Sequence, residues 1–176
     1  MARGGLDSEI ARLKHRDVRQ RRRAIRVLFD TDMPRALEGF VPLLNDKDAW
    51  FRSKALEAHR KWAPKQGVES LRTLAMHAWL DARRCAANLL GDFSQDTTEI
   101  ALLLIEDDDL TCARKAAEAK MEKYRKAGDG MVIDGTGASY NATMKKVNKL
   151  KEQGLSLIHI SEPTRRYAIS YAVFCL

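Results

Sequence analysis

Four arginines stand 31 residues apart, at Arg21, Arg52, Arg83 and Arg114. Three residues after each comes an alanine: Ala24, Ala55, Ala86 and Ala117. Phe40, Leu71 and Leu102 keep the same interval, as do Leu43, Leu74 and Ile105. A chain that repeats itself at a fixed period of this size folds as a stacked array, because one unit alone buries too little and neighbours together make a continuous core. Such an array presents a surface for holding a partner more readily than a catalytic pocket.

Each unit divides into two apolar-periodic segments separated by turn chemistry. In the second unit Leu37, Phe40, Leu43 and Leu44 fall on one face of a helix over 36–45. Pro34 starts it, and Pro42 should bend it. Asp46-Lys47-Asp48 forms the turn, with Asp48 as N-cap of a second helix. That helix should end at Trp62-Ala63-Pro64, since a residue before proline is pushed out of the α region. The other units follow suit: Leu6, Ile10 and Leu13, then Asp17 and a helix through Leu28; Val68 to Ala75, then Leu80 to Leu90. Ile100–Ile105 and Ala113–Tyr124 make a fourth pair. Four units thus span residues 3–126. Residues 127–137 read as a glycine-rich loop, and 138–154 as the first helix of a fifth unit, carrying Tyr140, Met144, Val147 and Leu150.

At 100° per residue, Arg21, Ala24, Ile25 and Leu28 share one face. The repeated arginines therefore lie at the packed seam and should be structural. Charges held there need partners, and turn carboxylates or carbonyls of a neighbouring unit can supply them.

An acidic turn residue, an arginine four later and an alanine three further on resembles the HEAT repeat. The pattern is Asp17…Arg21…Ala24 and Asp48…Arg52…Ala55; Trp79 and Leu110 stand at the Asp position in the third and fourth units. The resemblance covers about residues 6–126 and is nearest the short prokaryotic repeats. It implies an all-α fold, a right-handed α-solenoid of antiparallel helix pairs with the second helices on the concave side. It also implies a non-catalytic scaffold for a protein or peptide.

Function should then lie in the columns where the units differ. These read Arg19, Trp50, Asp81, Cys112; Arg22, Ser53, Arg84, Lys115; and Arg26, Glu57, Asn88, Ala119. Arg19, Arg22, Arg26, Arg84 and Lys115 would form a broken basic stripe around Trp50, able to hold an acidic peptide or phosphates. The blander reading is a solvated helix face, with Trp50 as a staple at its helix start. The cluster Arg19-Gln20-Arg21-Arg22-Arg23 raises nucleic acid as the alternative partner. HEAT-like folds occur in DNA glycosylases for alkylated bases, and Trp50 with Asp81 is the only pairing here that hints at one.

Charge weighs against a broad nucleic-acid face. Residues 1–30 hold nine Lys/Arg and four Asp/Glu, whereas 31–126 hold sixteen of each. The three cysteines lack metal-ligand spacing and fit a reducing, cytoplasmic setting. The histidines His15, His59 and His77 are scattered and read as structural. Asp107-Asp108-Asp109 reads as helix capping, not as a metal site. The loop Gly128–Gly137 lacks phosphate-binding lysine spacing and a preceding strand. No cofactor pattern and no membrane-length apolar run is present.

Residues 155–176 break both period and composition. The stretch LSLIHISEPTR reads as the in-frame translation of a transposase sequencing adapter, and ISYAVFCL as its flow-cell end. Arg166-Tyr167-Ala168 fills the place of an index between them. The expectation is a tail of non-native origin, with the natural sequence readable to about Gly154.

Overall fold

The computed structural model describes residues 3–128, 131–135, 140–152, 156–161 and 170–175. It divides into two compact units, Met1–Ala119 and Lys120–Leu176. The described elements of the first unit are all helical. They are α1 (Arg3–Arg12), α2 (Val18–Thr31), α3 (Leu37–Phe40), α4 (Ala49–Gln66), α5 (Val68–Ala75), α6 (Leu80–Leu89), α7 (Thr98–Ile105) and α8 (Leu110–Ala127), whose last turns enter the second unit. Helix α1 packs on α2, α3 on α4, and α5 on α6; successive pairs meet through α4 with α5 and α6, and α5 with α7.

The core runs through these pairs without a break. Ala24, Ile25 and Leu28 of α2, Phe40 of α3, Phe51, Ala55 and Trp62 of α4, Leu71 and Leu74 of α5, Ala86 of α6, and Leu104, Cys112 and Ala116 beyond them are buried in one cluster. Small residues on the second helices let these helices approach closely. Gly39 does the same for α3: a Cβ there would sit 2.9 Å from side-chain atoms of both Ile10 and Leu13. Phe29 stacks on Trp62 and meets Phe40 edge-on, and Trp62 donates its indole N–H to Asp32 at 2.7 Å. Asp32 itself ends α2 in the left-handed conformation, φ 47°.

Two prolines act otherwise than expected. Pro42 does not bend a continuous helix. It lies in a 3-10 segment, Val41–Asn45, that takes over where α3 stops. Pro64 does not end α4, which continues to Gln66. Trp62 and Ala63 are fully buried, and their packing holds the helix beyond the point where local preference alone would release it. Gly67, at φ 106°, supplies the break instead, and its N–H bonds to the Ala63 carbonyl.

The second unit contains α9 (Tyr140–Glu152) and an antiparallel sheet in the order β1 (Met131–Gly135), β3 (Ser170–Cys175), β2 (Ser156–Ser161). Met131 pairs with Phe174 and Ser156 with Cys175. The helix expected over 138–154 is present as α9, with Val147 and Leu150 buried. The expected loop over 127–137 is instead a strand over Met131–Gly135, where the run Met-Val-Ile suits a pleated ladder. The tail contributes β2 and β3; residues 162–169 lie outside the described residues.

Candidate functional site

The second helices of the first three pairs begin alike. Asp17 and Asp48 accept the N–H groups of Arg19 and Trp50 as N-caps, at 2.8 and 2.9 Å. Trp79 holds the same place without a side-chain cap. Each start is followed by a seam arginine with turn oxygens in reach. Arg21 donates to the Leu13 carbonyl at 3.0 Å and pairs with Asp46 of the next unit. Arg52 donates to the carbonyls of Asp46 and Lys47, at 2.8 and 3.0 Å, and lies over the Trp79 ring. Arg83 donates to the carbonyls of His77 and Ala78 and pairs with Asp107 of the next unit at 2.6 Å. Burial pushes the Asp46 carboxyl up, but hydrogen bonds from Arg21 and the Asp48 N–H outweigh it and hold it below its usual range. For Asp107 the Arg83 hydrogen bond dominates, in the same direction.

The fourth rung is not Arg114. The starts of the second helices fall at Asp17, Asp48, Trp79 and Asp109, so the last interval is 30 residues. Asp109 accepts from Cys112 N–H at 3.0 Å, and its carbonyl accepts from Ala113. Helix α7 likewise begins 30 residues after α5, which places the missing residue between Leu89 and Thr98. Ala113 therefore occupies the rung position and Ala116, fully buried, the alanine position. Arg114 is exposed and, among the described residues, pairs only with Glu118 of its own helix, at 3.8 Å. Ala117 is exposed as well. Cys112, expected on the outer face, is in the core, and burial pushes its thiol up to about 11. Leu102 is exposed; Ala101 takes its place in the core, and Leu104 takes that of Ile105.

The outer columns change accordingly. Arg84 forms a two-pronged pair with Asp109, 2.8 Å for the closer contact, and holds that carboxyl well below its usual range. Lys115 pairs with Glu118 at 3.4 Å. Arg22 lies over the Trp50 ring, 5.0 Å from its centre, and 3.8 Å from Asp48. Trp50 also meets Phe51 edge-on and has Lys54 on it. Its ring is occupied by its own neighbours and is only partly exposed. The aspartate beside it in the column, Asp81, is exposed.

What stays open is the outer ridge of α2. Arg19, Arg23 and Arg26 are exposed, with Arg16 just before the helix. Among the described residues none of their guanidinium groups is paired with a carboxylate. The nearest acids in sequence are Asp17, engaged as N-cap, and Asp30, one turn beyond Arg26. Arg19, Arg23 and Arg26 recur at helical spacing and span about 10 Å. Of the six expected partner contacts, then, Arg19 and Arg26 remain free, Arg22 is partly engaged, and Trp50, Arg84 and Lys115 are engaged. Arg23, in the basic run but not among those six, joins them.

Among the described residues no cluster of His, Cys, Asp and Glu is arranged to hold a metal, and no helix is long and apolar enough to cross a membrane. Asp107 and Asp109 work as turn acceptors and arginine partners. The chain matches no protein-family profile and no curated protein sequence.

Proposed function

We propose that this chain is a non-catalytic scaffold of HEAT-like helix pairs, a right-handed α-solenoid that holds an acidic protein segment on the outer ridge of α2. One contrast carries the reading. The basic residues of the outer columns in the later units, Arg84 and Lys115, are paired within the array, whereas Arg19, Arg23 and Arg26 have no carboxylate partner among the described residues. Several cations held close on a rigid helix attract a carboxylate-rich partner and lower the cost of ordering it.

The same ridge favours a peptide over a duplex. Its span of about 10 Å is short against the spread of phosphates a duplex binder neutralises, and it is not continued: the equivalent positions are Trp50, Lys54 and Glu57 on α4, where Lys54 pairs with Glu57, and Asp81, Cys85 and Asn88 on α6.

Binding of a glutamate-rich peptide and of a random DNA duplex, each labelled and followed by fluorescence anisotropy at two salt concentrations, tests this. The peptide should bind, and Arg19→Glu with Arg23→Glu and Arg26→Glu should weaken it at least about tenfold without lowering the melting temperature. Tighter binding of the duplex, with a steep salt slope, would replace the peptide reading with a nucleic-acid one.

A further inference from the structure

The residue that opens each turn alternates along the array. His15, Asp46, His77 and Asp107 occupy corresponding places, and each accepts the backbone N–H two residues on, at 3.0, 2.9, 3.0 and 2.8 Å. The two aspartates also receive the seam arginine of the preceding unit, Arg21 and Arg83. His77 cannot do so. Arg52, the arginine that would reach it, bonds only to carbonyls of its own turn and rests on the Trp79 ring. The joint between the second and third helix pairs therefore lacks the ion pair that its neighbours on both sides possess.

A second histidine lies at that joint. His59 of α4 is fully buried; its Nδ1 is 2.8 Å from the Ala55 carbonyl, so Nδ1 carries the proton, and its Nε2 has no partner among the described residues. The groups that bear on the two imidazoles are cationic or basic. Arg83 of α6 acts on His77, whose carbonyl it also holds, and His77 acts on His59. Arg52 of α4 stands across the Trp79 ring, and Arg60 of α4 lies against Cys85 of α6. Among the described residues no carboxylate is bonded to either ring.

We propose that the joint between the second and third helix pairs is an acid-sensitive hinge, opened first when His77 and His59 take up protons. Protonation of His77 at Nδ1 removes the acceptor for the Trp79 N–H and places a cation beside Arg83. Protonation of His59 places a second, uncompensated charge inside the seam. Burial, reinforced by these neighbours, holds both groups below the ordinary histidine value. The folded array therefore binds fewer protons than the unfolded chain. The stability from these groups is complete above about pH 6.5 and declines as the pH falls below it.

Hydrogen exchange of the full chain near pH 7 and pH 5, corrected for the intrinsic pH dependence of exchange, tests the hinge. Amides of Leu80–Leu89 should speed up about tenfold relative to those of Val18–Thr31, which is about 1.4 kcal/mol in the free energy of opening. His77→Asp supplies the acceptor used in the second and fourth units, and His77→Asn supplies an acceptor that does not titrate; each should at least halve that difference. Equal acceleration in the two helices overturns the proposal, and so does an undiminished difference in both variants.

Discussion

Helices α6 and α8 start with similar sequence and end in different physical situations. In α6 the arginine four residues past the helix start bonds two carbonyls and a carboxylate of the next unit, and the alanine three further on has no exposed surface. In α8 the arginine and alanine that continue the 31-residue count stand in solvent, and Ala113 and Ala116 take the inner places. The repeat that matters physically is counted from the turn acceptor, not from the arginine. One residue fewer before α7 offsets every later position from the 31-residue count by about 100° around its helix.

Alanine substitutions separate the two registers most strongly. Ala86→Leu and Ala116→Leu force three extra carbons into filled space and should each cost roughly 1–3 kcal/mol or more. Ala117→Leu should change stability by less than about 0.5 kcal/mol. Urea unfolding followed by circular dichroism measures all three. If Ala117→Leu proves as costly as Ala86→Leu, the shifted register of α8 is wrong.

The arginines give a smaller effect on the same axis. Arg83→Ala removes charge-assisted hydrogen bonds and leaves Asp107, whose side chain is only 6% exposed, without its partner. The expected loss is about 1.5–3 kcal/mol. Arg52→Ala, which gives up two carbonyl contacts and no ion pair, should cost about 1 kcal/mol. Arg114→Ala should be silent within about 0.5 kcal/mol. Equal losses at Arg83 and Arg114 would restore the ladder of four that the spacing suggests.

Why the spacing misled is visible in the residues themselves. The first three units are marked by distinctive residues, such as Asp17, Asp48, Phe40 and Trp62, and there the helix pairs, the N-caps and the seam arginines follow from pattern alone. The fourth unit is built from runs: Leu102-Leu103-Leu104-Ile105, Asp107-Asp108-Asp109, Arg114-Lys115 and Ala116-Ala117. A run looks the same after a shift of one, so periodicity cannot register it. The open ridge of α2 was only half legible for a related reason. Composition shows where cations are, but whether a carboxylate neutralises one depends on the next unit. Asp48 and Asp109 reach back to Arg22 and Arg84 in this way, and among the described residues nothing equivalent reaches Arg19 or Arg26. The orphaned Nε2 of His59 was not legible at all, because a buried histidine reads from sequence as a satisfied one.

The finest test of the contrast uses acid. The Asp107 carboxyl sits below its usual value of 3.8 because Arg83 bonds it, so the unfolded chain takes up its proton at higher pH than the folded one. The stability it contributes is present above that value and is lost progressively as the pH falls through and below it. Asp107→Asn should therefore lower stability near neutral pH and remove on the order of 1 kcal/mol from the acid limb of the stability curve. Glu118, the exposed partner of Arg114, should leave that limb unchanged when replaced by Gln, since a solvated pair on one helix is worth little. Both curves come from urea titrations repeated across that pH range. A limb that flattens equally in the two variants would mean that α6 and α8 carry equivalent ion pairs, and that the seam does not end at Arg83.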